Sequence, residues 1–129
     1  MANVAHATLT GSNLHEPKGA AAAAVDEIYQ ADGAGSGDWK LPIKKYSITI
    51  SPAEVAVNTT AEEAFTCTGL LVASDTIIGV SKPTAQAGLG IVGWRCSDDD
   101  EISITFANVT AGALTPTASE EYTVFAHRA

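Results

Sequence analysis

From Tyr46 to its end, the chain consists of short runs in which apolar and polar residues alternate. In the clearest run, EISITFAN, Ile102, Ile104 and Phe106 alternate with a serine and a threonine. Alternation with a period of two is typical of a β-strand that buries one face. The same pattern, less regular in places, occurs in YSITI, EVAV, EAFTCT, DTIIGVSK, GIVGWRC and EYTVFAH. The sequence therefore predicts six or seven short strands in this part of the chain.

Turn-forming residues separate these runs and set the expected fold class. They include Ser51-Pro52, Asn58-Thr59-Thr60, Lys82-Pro83 and Thr115-Pro116. Closely spaced short strands of this kind are typical of antiparallel sandwiches and barrels, and no long helical pattern is present to cover a parallel sheet. We expect an all-β protein: an antiparallel β-sandwich or jelly-roll-like body over residues 46–129, with an extended N-terminal arm and linker over residues 1–45.

The arm has a different composition, dominated by alanine and glycine. KGAAAAAVDEIYQA favours a short helix, because alanine is the best helix former and Val25, Ile28 and Tyr29 fall at helical spacing. The following ADGAGSGDW is typical of a flexible linker. Since an isolated helix of this length is marginal in water, we expect the arm to gain structure when it lies against another surface.

The distribution of charge limits the possible partners. The 129-residue chain has a formal net charge of −8, and residues 46–129 carry ten acids against three bases. Nucleic-acid binding depends on lysine and arginine neutralising phosphates, so an acidic body argues against it. No apolar run reaches the roughly 18 residues that a membrane helix needs. The N-terminus lacks the features of a secretory signal, so synthesis in a cytoplasm is expected.

Three sequence motifs resemble binding sites, but each also has a simpler structural interpretation. The acids of Ser97 to Glu101 lack the ligand spacing of a calcium loop, so we interpret them as a solvated hairpin turn. GAGSG lacks the lysine and the following helix of a phosphate loop. Asn58-Thr59-Thr60 and Asn108-Val109-Thr110 match the N-glycosylation pattern, which we attribute to coincidence in turns.

No cluster of residues in the sequence points to catalysis or to a cofactor. His6, His15 and His127 are far apart and lack metal-ligand spacing with cysteine. Cys67 and Cys96 are expected to be small core residues, although a bridge between them remains open. No motif of an activated nucleophile occurs. We expect neither an enzyme nor a bound metal or cofactor.

Two stretches of the chain resemble a known group of proteins. LTGSNLHEPKGAAAAAVDEIYQADGAGSGDW, from Leu9 to Trp39, resembles the N-terminal segment of small virion structural proteins of tailed bacteriophages. The stretch from Val80 to Arg128 resembles the β-rich domains that accompany that segment. Proteins of this kind include capsid decoration, or cement, proteins and head-fibre proteins, and they are often trimeric. The resemblance brings no catalytic residues with it.

The resemblance implies a structural protein of the virion, made in the host cytoplasm and placed on the capsid surface. Its expected partners are the major capsid protein and further copies of itself, as a homotrimer, with no nucleic acid and no membrane. The arm would be the contact surface, and its expected contact residues are Leu14, His15, Pro17, Ile28, Tyr29 and Trp39. Two alternatives remain open: a head fibre or tail adhesin that contacts the host surface, and an arm whose apolar residues pack on the body.

Overall fold

The computed structural model describes residues 22–31, 33–34 and 37–128. Within these residues it contains no α-helix and eight β-strands, so the predicted all-β class is confirmed. The chain divides into two units, Met1–Pro42 and Ile43–Ala129. The strands are β1 (Ile28–Ala31), β2 (Gly37–Lys40), β3 (Ile43–Ile50), β4 (Thr59–Thr66), β5 (Asp75–Ser81), β6 (Leu89–Asp98), β7 (Glu101–Asn108) and β8 (Glu120–Arg128).

The first unit contains a two-stranded hairpin, which corrects two predictions. Residues 28–31, expected at the end of a helix, form β1, and residues 37–40, expected in the linker, form β2. A left-handed residue, Asp26 (φ 69°), precedes β1 and is incompatible with a continuous helix. Tyr29 and Trp39 then face each other across the antiparallel pair. Cross-strand pairing of aromatic residues outweighs a helix that is marginal by itself.

Glycine is required in the hairpin for a steric reason. A Cβ atom at Gly37 would lie 2.3 Å from the carbonyl oxygen of Gln30 on the opposite strand. Gly33, in the connection, has a φ of +78°, which glycine adopts without strain. Glycine at positions 33 and 37 therefore fits the backbone that this hairpin requires.

The second unit is a β-sandwich of two three-stranded antiparallel sheets. One sheet has the order β3-β8-β5, and the other has the order β4-β7-β6. The pairs β3–β8 and β4–β7 run without a register shift from end to end. Strand β3 begins at Ile43, three residues before the predicted start of the body. Of the two predicted architectures, the structure has the sandwich.

The core lies between the two sheets. The central strands supply most of it: Ile102, Ile104 and Phe106 from β7, together with Tyr122 and Val124 from β8, are at most 1% exposed. The rings of Phe106 and Tyr122 meet edge to face across the sheets, with centroids 6.3 Å apart. The alternation seen in EISITFAN is thus the alternation between core and outer face.

The segment EVAV is not a strand, contrary to the prediction. Val55 makes an isolated bridge with Leu114, in which each backbone N–H donates to the other carbonyl at 2.8 and 3.0 Å. Asn108, which is 1% exposed, holds this crossing in place, because its Nδ2 donates to the carbonyls of Val55, Ala56 and Gly112. A buried amide with three acceptors serves the fold, which supports the interpretation of the glycosylation pattern at this position as a coincidence.

The acidic turn joins β6 to β7, as predicted, but its carboxylates are engaged by the neighbouring loop. Asp100 adopts φ +60° at the hairpin, and its Oδ1 accepts a hydrogen bond of 2.6 Å from the backbone N–H of Gly69. Asp99 Oδ1 accepts a bond of 2.9 Å from the N–H of Val72. The run of aspartates therefore caps backbone donors of the connection between β4 and β5.

Candidate interaction surfaces

The hairpin presents an aromatic pair on one face. The rings of Tyr29 and Trp39 lie edge to face, with centroids 5.6 Å apart and planes at 63°. Cross-strand partners share a face of a hairpin, so the two rings form one patch, which we call the aromatic pair. Ile28, with Lys40 opposite it, lies on the other face. All four residues of β1 are exposed.

These positions account for half of the predicted contact residues. Ile28 is 51% exposed and Tyr29 is 36% exposed, while Trp39 is partly buried. The structure thus brings Tyr29 and Trp39 together and places Ile28 on the opposite face. Leu14, His15 and Pro17 lie outside the described residues. Large apolar side chains that remain exposed on a short hairpin are typical of a binding surface.

One lateral side of the sandwich, between β5 and β6, is closed and irregular. The indole N–H of Trp94 on β6 donates to the carbonyl of Ile77 on β5 at 3.3 Å. Strand β5 has a register shift between Ile77 and Gly79, and β6 has one between Ile91 and Gly93. Bulges twist an edge away from regular pairing, so this side is protected against the addition of another strand.

The opposite side, between β3 and β4, is open; we call it the open side. In the described part of the chain, each of these strands has a hydrogen-bonded neighbour on one edge only. A groove of about 460 Å³ lies between β3 and the C-terminal end of β4. It is lined by Lys45, Tyr46, Ser47, Ile48 and Thr49 of β3 and by Thr66, Cys67 and Thr68 at the end of β4. Its outer wall therefore consists mainly of short polar side chains and strand backbone.

Charge separates the two edges of the open side. Strand β3 carries Lys44 and Lys45, whereas β4 carries Glu62 and Glu63. The three bases of residues 46–128 each pair with an acid: Lys82 with Glu120, Arg95 with Glu62, and Arg128 with Asp75. Within the described residues neither lysine of β3 has such an ion pair. Lys45 is exposed, so β3 presents positive charge to solvent on an otherwise acidic body.

One end of the groove is fixed by an ion pair. Arg128 contacts both carboxylate oxygens of the fully buried Asp75 side chain, at 2.7 and 2.5 Å, and also donates to the carbonyl of Gly69. The Tyr46 hydroxyl donates to the same carbonyl. Arg128, aided by the backbone N–H of Leu71, holds the pKa of Asp75 below its ordinary value, although burial opposes this. The last described residue thereby ties β8 to the connection after β4.

The two cysteines are free thiols in the body. Cys67 is buried, and desolvation raises its pKa to about 11; desolvation also raises the pKa of Cys96. Both thiols therefore stay protonated at neutral pH, which makes them poor nucleophiles. Among the described residues, no group of three or more histidine, cysteine, aspartate or glutamate side chains is arranged to hold a metal ion. In the same part of the chain, no helix has the length and apolar character to cross a membrane.

Sequence reasoning missed the open side and the Asp75–Arg128 pair. Both depend on strands that are distant in sequence, so spacing alone gives no sign of them. One signal was available: a Lys-Lys pair directly before the run YSITI, and a Glu-Glu pair of which the second residue begins the run EAFTCT.

No protein-family model matches the chain, and neither a curated protein nor a solved structure has significant similarity to it.

Proposed function

We propose that the chain is a structural virion protein, a capsid decoration protein that binds the outer surface of a phage head and stabilises it. The hairpin supports this proposal best: it displays Tyr29 and Trp39 as one aromatic patch, in a unit separate from the body. A few residues carry most of the binding energy at protein interfaces, and tryptophan and tyrosine are enriched among them. The sequence resemblance to phage decoration and head-fibre proteins supplies the partner, the major capsid protein.

The body supports a structural role in a second way. It buries its own core between two sheets, and it is acidic, which disfavours contact with the packaged genome. In the proposal, the hairpin and the residues before it hold the capsid, and bodies of neighbouring copies associate with one another as a homotrimer.

The test uses heads that lack the protein, taken from the phage that encodes it. Purified full-length chain should co-sediment with these heads at a fixed ratio and raise their temperature of disruption. Replacing both Tyr29 and Trp39 with serine should weaken binding at least about tenfold, since loss of one anchor costs about 2 kcal/mol or more. Val57→Ser, at a 47% exposed position of the body, is the control and should bind normally.

Two results would oppose the proposal. One is undiminished binding of the double variant, together with undiminished binding of a chain lacking residues 1–39. The other is binding to host cells and not to heads, which would favour the adhesin alternative.

A further inference from the structure

We propose that the open side is a self-association surface, on which β3 of one copy pairs with β4 of a second copy. The inference deepens the self-association part of the proposed function and adds the surface that carries it. It concerns the free protein in solution, so it can fail while capsid binding holds.

Both edges of the open side are regular. Strands β3 and β4 pair with their neighbours over eight residues each without a bulge, whereas β5 and β6 both contain register shifts. A regular edge presents unpaired backbone N–H and C=O groups at the spacing that another strand requires. Ser47, Thr49 and Thr66 border the groove with short side chains, which let a second backbone approach closely.

The charges of the two edges indicate a second copy of this chain as the occupant. Two β3 strands paired about Lys44 and Lys45 would set lysine against lysine, and two β4 strands paired about Glu62 and Glu63 would set glutamate against glutamate. Like charges directly opposite destabilise a strand pair, and opposite charges stabilise it. A pair of β3 with β4 is therefore the combination in which these charged positions attract each other. A second copy of this chain brings both edges together.

A single register of β3 against β4 satisfies both charge pairs. In an antiparallel pairing that sets Lys45 opposite Glu62 of the second copy, Lys44 falls opposite Glu63 of that copy. The faces also agree: Lys45 and Glu62 are exposed on outer faces, while Lys44 and Glu63 are partly buried on inner faces. Glu62 already binds Arg95 at 2.7 Å, so the outer contact would form a three-charge network.

The experiment measures molecular mass by light scattering over a range of protein concentrations. The wild-type chain should form an oligomer that weakens as salt is raised, because salt screens exposed charges. Lys45→Glu alone and Glu62→Lys alone should each raise the dissociation constant at least about tenfold. Mixed one to one, the two variants should associate again, because each supplies the edge that complements the other. Glu121→Lys, at an exposed position on β8, is the matched control and should behave as the wild type.

A second measurement fixes the register and does not depend on the charge variants. Ser47 and Thr60 are exposed and become opposite residues in the proposed pairing. A mixture of Ser47→Cys and Thr60→Cys chains should form an intermolecular disulfide under mild oxidation, well above the level given by either variant alone. A monomeric wild-type chain would overturn the inference. So would an oligomer that neither charge variant weakens and that yields no disulfide in the mixture, since it would use another surface.

Discussion

The hairpin and the body are both made of antiparallel strands, yet they differ in how much apolar surface they bury. In the body, two three-stranded sheets face each other, and eleven apolar residues are buried between them. In the hairpin, every residue of β1 is exposed. A two-stranded hairpin is only marginally stable in water, because it has a single sheet and little core. Alternation of apolar and polar residues specifies a strand, but a stable fold also requires a second sheet that packs against the apolar face.

The largest expected effect is on the stability of the body, and it tests the core between the two sheets. Phe106 is 1% exposed and packs edge to face on both Phe65 and Tyr122. Phe106→Ala should lower the free energy of unfolding by about 4 kcal/mol, through lost transfer energy and the cavity left behind. This change in the free energy of unfolding is measured by urea denaturation, with circular dichroism as the probe of unfolding. Val109→Ala, at a 75% exposed position, should change stability by less than about 0.5 kcal/mol. If Phe106→Ala and Val109→Ala lowered the free energy of unfolding equally, the assigned core would be refuted.

A smaller effect, dependent on pH, is expected at the buried ion pair of the body. Asp75→Asn removes a buried charge that Arg128 binds through two hydrogen bonds, so stability at pH 7 should fall by about 2 kcal/mol. The folded state lowers the pKa of Asp75, so its contribution is complete above the ordinary value of 3.8. It is lost as the pH falls through the lower folded value.

Urea denaturation of both chains between pH 7 and pH 2 measures this dependence. The gap in stability between wild type and Asp75→Asn should shrink as the pH falls below 3.8. Glu121→Gln makes the same chemical change at an exposed position and should leave the wild-type pH profile in place. A gap that stays constant down to pH 2 would show that Asp75 is not held ionised.

The smallest effect on global stability is expected in the hairpin. Trp39→Ala removes one ring of the aromatic pair, which is worth about 1 kcal/mol. The core cluster is drawn from β3 to β8 and their connections, so the main unfolding transition should change by less than that. Hydrogen exchange of the amides in β1 and β2 should rise instead, and Trp39→Phe should retain protection. A large loss of global stability in Trp39→Ala would contradict the contrast between the two units.

The predicted strands show how much of the fold a local sequence pattern can predict. EISITFAN and EYTVFAH became the two central strands, because alternation with large apolar residues fits a strand between two neighbours. The arm was predicted less well. An alanine run and helical spacing favoured a helix, yet Ile28–Ala31 pairs with Gly37–Lys40. The local propensity for a helix was only marginal. The cross-strand contacts that form in its place join two separate segments, so the hydrophobic periodicity of one segment does not predict them.

The sequence by itself determined the all-β class, most of the strands, the acidic turn between β6 and β7, and the excess of negative charge in the body. The tertiary structure decided which strands became edges, where the bulges lie, and that Asp75 meets Arg128. It also made the strand with two lysines, β3, an edge of one sheet and the strand with two glutamates, β4, an edge of the other. The physical reason is range: alternation and turn chemistry act between near neighbours in the chain, whereas sheet order is set by how distant strands share one core.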